Sequence, residues 1–154
     1  DVVVVEAGLA RGAQLAVYAL RQGRLAKVAA TPEIGTRFRW LAPVAVADLD
    51  GDGITDLAYV ETPHLAKRLR VWTWAPGGLT ARAALDGVTN HRIGEETIAG
   101  GLRDCGQGPE MILADAAWRR VVAVTLTGAG LSARALDFAP DATGFGAALA
   151  CQTG

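Results

Sequence analysis

This chain of 154 residues lacks an excess of charge, long apolar runs, paired metal-binding cysteines and nucleotide-binding glycine motifs. Its 15 Lys and Arg against 16 Asp and Glu leave a net charge of -1. That balance gives no electrostatic footprint for nucleic acid or an anionic membrane surface. Apolar residues make up 51% of the chain but fall in short runs, far below the roughly eighteen residues that span a bilayer. No membrane insertion is expected, and no segment of the signal-peptide type stands at Asp1. The GxSxG, P-loop and dinucleotide glycine signatures are missing, so the common hydrolase and nucleotide chemistries have no support. Cys105 and Cys151 are too few for a disulfide framework, and neither sits in a CxxC or beside a histidine, which argues against zinc.

Acid is clustered in one place. Asp48-Leu-Asp-Gly-Asp-Gly-Ile-Thr-Asp56 lies between the apolar runs Val44–Ala47 and Leu57–Val60. A single Asp-Gly pair there would predict a hairpin turn. Four aspartates at alternating positions exceed what a turn needs, and they repel one another unless a hard cation gathers their oxygens. Asp48, Asp50, Asp52 and Asp56 would offer side-chain oxygens, Ile54 its backbone carbonyl, and Gly51 and Gly53 the tight curl. Position twelve is Tyr59 rather than Glu, and the flanks are strand-like, which excludes an EF-hand.

The rest of the chain is periodic. Gly78-Leu-Thr-Ala-Arg-Ala83 and Gly130-Leu-Ser-Ala-Arg-Ala135 are 52 residues apart, with a weaker copy in Gly23-Arg-Leu-Ala-Lys-Val28. Asp1–Glu6, Asp56–Glu61 and Glu110–Asp115 each enclose four apolar or aromatic residues between acids, as buried strands bounded by turns do. A further set comprises Trp40-Leu41 before Val44–Ala47, Ile93-Gly94 before Thr97–Gly100, and Phe145-Gly146 before Ala148–Ala150.

The acidic loop from Asp48 to Leu57 resembles the calcium loop of the FG-GAP and VCBS repeats, the blade units of integrin-alpha-like and bacterial extracellular β-propellers. The resemblance implies an all-β chain of propeller-type blades of four antiparallel strands, about three repeat units in all. The implied division is strands two to four of one blade over 1–35, full blades over 36–88 and 89–140, and strand one of a further or closing blade over 141–154. Three blades fall below the usual four to eight, so a second copy completing a six-blade ring, missing blades, or a compact alternative remain open. The cofactor implied is Ca2+ at Asp48, Asp50, Asp52, Ile54 and Asp56. The implied role is an extracytoplasmic binding or scaffold module for a protein or glycan partner, the alternative being part of a secreted enzyme acting on polysaccharide. Neighbouring blades would bring the loops of Cys105 and Cys151 together, so a disulfide is set against two buried thiols.

In the second copy of the loop, Arg103, Cys105 and Glu110 replace the aspartate pattern. No metal is carried onto it, and Arg103 is expected to bridge neighbouring acids. His64 and His91 belong to no metal or triad signature, and the adjacent Glu95 and Glu96 would point to opposite faces of a strand, so no catalytic residue is assigned. Trp72 and Trp74 share one strand face, suited to core packing or, if exposed, to stacking on a sugar.

Overall fold

The computed structural model describes residues 1–153. Its strands are β1 (Val2–Gly8), β2 (Gly12–Arg21), β3 (Arg24–Ala30), β4 (Leu41–Ala47), β5 (Asp56–Glu61), β6 (Arg68–Ala75), β7 (Gly78–Asp86), β8 (Val88–Thr89), β9 (Gly101–Asp104), β10 (Pro109–Asp115), β11 (Val121–Thr127) and β12 (Gly130–Ala135). One helix, α1 (Ala142–Leu149), follows them. The described residues are therefore all-β apart from that helix.

Antiparallel pairing gives a first sheet in the order β1-β2-β3 and a second in the order β4-β5-β6-β7. The third runs β12-β11-β10-β8, with β9 also paired to β10. Short turns force strands close in sequence to be neighbours in space. Between β2 and β3, Gln22 and Gly23 both have positive φ, 50° and 77°. That is the mirror-image turn whose twist matches a hairpin, and glycine adopts its second position without a side-chain clash.

The three sheets are stacked. Successive side chains on a strand point to opposite faces. On β5, Leu57 and Tyr59 pack with Leu15 and Val17 of the first sheet, while Ala58 and Val60 pack with Met111, Leu113 and Val124 of the third. The second sheet thus has a core on each face. On β10 the same alternation turns Ile112 and Ala114 away from the second sheet, onto Phe145 and Ala148 of α1. Trp72 and Trp74 pack against the core between the first two sheets, and Trp72 Nε1 donates to Tyr59 Oη at 3.2 Å. They serve packing, as their spacing suggested.

The third sheet departs from the expected unit. No strand forms at Thr97–Gly100. The place beside β10 is shared by β8, opposite Ala114 and Asp115, and β9, opposite residues 109–112. The segment between them leaves the sheet. Asn90 anchors its start, fully buried, through Nδ2 to the Pro43 carbonyl at 3.1 Å. Gly100, at φ +83°, ends it against the Ile112 carbonyl, where a Cβ would collide. Glu95 and Glu96 lie exposed in this excursion, outside any strand.

The carboxyl-terminal segment corrects a second expectation. The repeat pattern predicts a strand within 141–154, of which Gly154 lies outside the described residues, yet 142–149 are helical. Asp141 caps the helix, its Oδ1 accepting from the Gly144 N–H at 2.8 Å. Alanine favours the helix, and Phe145 and Ala148, one turn apart, find an apolar surface on β10 and β11. Among the described residues the segment adds no strand to the first sheet, which has three.

Cys105 and Cys151 form a disulfide with Cα atoms 5.7 Å apart, tying the β9–β10 loop to the residue after the cap of α1. The bridge closes a loop over a sequence separation of 46, for which the chain-entropy relation gives about 4 kcal/mol. Replacing both cysteines by serine should lower unfolding stability by about 2–4 kcal/mol. Limited proteolysis should then cut first near α1, and unchanged stability would show that helix packing alone fixes this end.

Candidate metal centre

The acidic loop connects β4 to β5 and is held by a side chain of opposite character. Leu49, 2% exposed, is buried in the core between the second and third sheets. Its neighbours Asp48 and Asp50 are thereby fixed on either side of an apolar anchor. The loop backbone then wraps Asp48: Oδ1 accepts from the Gly51 N–H at 2.7 Å and the Asp52 N–H at 3.2 Å, and Oδ2 from the Gly53 N–H at 2.9 Å. Hydrogen bonds from Gly53, and then Gly51 and Asp52, hold the Asp48 carboxyl below its usual range against some desolvation.

Asp56 opens β5 and is 2% exposed. Its Oδ1 accepts from Thr73 Oγ1 at 2.6 Å and its Oδ2 from the Leu49 N–H at 3.3 Å. Burial pushes its carboxyl pKa up, opposed by these two donors and reinforced by the charges of Asp50 and Asp52. Asp50 lies between the two environments, with its side chain 6% exposed. Arg82 Nη2 donates to its Oδ2 at 2.8 Å, while its Oδ1 is buried with no hydrogen-bond partner among the described residues.

The structure brings Asp48, Asp50 and Asp56 together, with one oxygen from each within 4.8 Å of the others. Asp52 is not in this group. It is exposed, and its Oδ1 caps the Ile54 N–H at 2.8 Å. Three hard oxygen donors facing one point suit a hard divalent cation, Ca2+ or Mg2+, rather than a soft metal. The test of fit is Asp50 Oδ1. A buried carboxylate oxygen with no donor, beside two other acids, is costly unless a cation meets it.

Arg82 was not singled out in the sequence, although the repeat containing it was. It sits at a β-bulge, where Trp72 pairs with Ala81 and Val71 with Ala83, leaving Arg82 as the extra residue. Such a bulge re-aims a side chain. Arg134, 52 residues on, holds the matching place in the second Gly-Leu-Ser-Ala-Arg-Ala copy and reaches the acid of its own sheet, with Nη2 2.6 Å from Glu110 Oε1. The recurring arginine therefore serves one purpose twice, placing a cation against the acid of the loop-bearing end. Lys27 in the weakest copy bonds instead to Glu6 at 2.7 Å, within a network that includes Tyr18 and Gln14. With those partners, led by Lys27, the Glu6 carboxyl is lowered to about 2.

The second loop confirms that Arg103 has a structural role. It is 9% exposed and donates through Nε and Nη2 to Glu110 Oε2 at 2.8 and 2.6 Å, and through Nη1 to the Ala148 carbonyl at 2.6 Å. It bridges one acid and the end of α1, rather than several acids. Asp104 Oδ1 accepts from the Gly106 and Gly108 N–H groups, as Asp48 does in the first loop. Each loop thus opens on an aspartate that gathers backbone N–H groups, and in the second the Arg103 guanidinium meets the strand-end acid Glu110. In comparisons with known proteins, the chain has no significant match to a family model, a curated protein or a solved structure.

Burial pushes the Glu110 carboxyl pKa up, but bonds from Arg134 and Arg103 outweigh it and bring the value below the ordinary 4.5. A lowered folded pKa means the stabilisation is full above the unfolded value and is lost as pH falls through the folded one. Glu110→Gln should therefore flatten the acid limb of the stability curve below about pH 4.5. Arg103→Met, which leaves Glu110 Oε2 and the Ala148 carbonyl without their donors while Arg134 still meets Oε1, should cost roughly 3 kcal/mol at neutral pH. Acid titration of the melting temperature checks both, and an unaltered acid limb in Glu110→Gln would count against this assignment.

Proposed function

We propose that this protein is a calcium-stabilised repeat module of the FG-GAP and VCBS-like propeller type, acting outside the cytoplasm as a binding or scaffold unit for a protein or glycan partner. The observation that carries the metal part is Asp50 Oδ1, buried and unpartnered within the acidic group. Calcium is preferred to magnesium because loop carbonyls and nearby carboxylates offer a larger, irregular oxygen shell than an octahedral magnesium site requires. The repeated arginine and the shared backbone wrap of the two loops support the repeat reading. A disulfide and a calcium loop both suit an oxidising, calcium-rich compartment. Among the described residues no helix is long and apolar enough to cross a membrane.

The metal would be held by Asp48, Asp50 and Asp56, with Asp52 and the Ile54 carbonyl as the further ligands the resemblance implies. Its chemistry there is charge neutralisation between β4 and β5, which makes it a staple. A secreted polysaccharide enzyme is the second reading. It draws on two histidines and an arginine gathered from different sheets, His64, His91 and Arg92, though among the described residues no carboxylate lines the cleft they form.

Calcium at a hundredfold excess over its Kd should stabilise the chain by about 2.7 kcal/mol, a rise in Tm of roughly 5–10 °C. Asp50→Asn and Asp56→Asn should each abolish the rise, whereas Asp52→Asn, outside the close group and still able to offer an amide oxygen, should only weaken it. Differential scanning calorimetry with calcium and with chelator separates these cases, and an undiminished shift in Asp50→Asn would sink the site.

The proposed assembly is also testable. A six-blade ring of two copies would need the first sheet of one seated on the outer face of the third sheet of the other, and α1 lies on that face. The isolated chain is therefore expected to be a monomer by native mass spectrometry. A dimer with ring-shaped small-angle scattering would instead require α1 to move aside.

A further inference from the structure

At the end of the second sheet opposite the acidic loop lies a second group of polar side chains. The two ends are separated by the length of β5, six residues or about 20 Å. The β5–β6 connection contributes Pro63, His64 and Lys67, the excursion after β8 contributes His91 and Arg92, and the β10–β11 turn contributes Trp118. The cleft between them is about 210 Å³, smaller than the roughly 300–1,000 Å³ of pockets for drug-sized ligands. It suits a single ring or a head group. Four nitrogen bases line it and, among the described residues, no carboxylate does, in a chain whose net charge is -1.

Three features show which groups are free to bind. The Arg92 guanidinium lies 4.3 Å above the Trp118 ring. An arginine parked on an aromatic face keeps its N–H edge available for a carboxylate. Lys67 Nζ donates one hydrogen bond, to the Ala116 carbonyl at 2.6 Å, leaving two of its three N–H donors. The histidines fix each other's tautomers. His91 Nε2 lies 3.0 Å from the Glu95 carbonyl, which only accepts, so that nitrogen carries the hydrogen. In the neutral pair His91 Nδ1 is then bare and accepts from His64 Nε2 at 2.8 Å. His64 Nδ1 is left as an acceptor. Burial, then His91 and Lys67, lowers the His64 pKa and favours this neutral form.

Backbone strain marks the same place. Lys67 and Trp118 have φ of 51° and 53°, and Thr62, beside Pro63, has 41°. Bulky and β-branched residues rarely occupy this region, and such strain gathers at ligand sites where the surrounding structure enforces it.

We propose that this cleft binds a small hydroxy-carboxylate of the sugar-acid class, its carboxylate held by Arg92 and Lys67 and a hydroxyl donated to His64 Nδ1. An anion without hydrogens, such as sulfate, leaves that acceptor unmet, and a neutral sugar leaves both cations unmet. A ligand carrying both groups answers all three. This narrows the glycan side of the binding role and stands apart from the acidic loop, so loss of the calcium response would leave it unaffected.

The test is titration of the full chain with D-glucuronate, with D-glucose and sodium sulfate as parallel arms, followed by ring signals of the histidines and tryptophans in NMR. Saturable shifts of His64, His91 and Trp118 are expected with glucuronate, with glucose and sulfate binding at least about tenfold more weakly. Arg92→Ala should weaken glucuronate binding by about tenfold or more. Arg92 is exposed, and among the described residues its side chain makes no hydrogen bond, so this variant should fold. Lys67→Met should act in the same direction. No saturable shift, equal binding of sulfate, or a glucuronate affinity unchanged by Arg92→Ala would each overturn the assignment.

Discussion

The double-sided burial of the second sheet is the constraint on which the rest of the molecule depends. Because β5 sends Leu57 and Tyr59 one way and Ala58 and Val60 the other, a single strand takes part in two cores. Each fully buried leucine, valine or tyrosine on it contributes about 1.5–3 kcal/mol through removal from water. Neither outer sheet could be displaced without exposing one of those faces. The ends of β5 are therefore rigidly placed, and both functional candidates stand at those ends. The acidic loop lies before Asp56, and the histidine cleft lies after Glu61.

Charge at the loop-bearing end is managed by the same device in two sheets. A strand-end acid, Asp56 or Glu110, is buried at the start of the central strand. An arginine from the last strand of the same sheet comes back to the acids of that end, Arg82 to Asp50 and Arg134 to Glu110. The sheets diverge in what completes the compensation. In the third sheet a second guanidinium, Arg103, satisfies Glu110 and also reaches the end of α1. In the second sheet one oxygen of Asp50 is unmet. A divalent cation has greater charge density than a guanidinium and gathers several oxygens at once, so the three aspartates that converge there could hold one.

Much of this was legible in the chain. The acid-bounded apolar runs correspond to β5 and β10, and the repeated Gly-Leu-Thr-Ala-Arg-Ala segments correspond to β7 and β12. The ligand pattern pointed to Asp48, Asp50, Asp52, Ile54 and Asp56, and the structure gathers Asp48, Asp50 and Asp56 of these, since their spacing is local and a tight loop has few ways to close. Arg82 escaped because its reach depends on a bulge, and a bulge has no sequence signature as plain as a turn. Leu49 escaped because an apolar residue within an acidic loop reads as a spacer until the core behind it is known. The segment 142–149 aligns with the repeat and so reads as a strand, but its alanines and the Asp141 cap favour the helix that forms.

Sequence alone determined the strand periodicity, the turns and the acidic loop, because each rests on contacts between residues near one another in the chain. Tertiary structure decided the remainder. It stacked three sheets so that alternate faces met, covered the third with a helix, and joined Cys105 to Cys151. It also brought His64 and His91 within 2.8 Å across a separation of 27 residues. Such long-range pairings follow from which faces are buried together, and that is settled only when the whole chain competes for the same apolar surface.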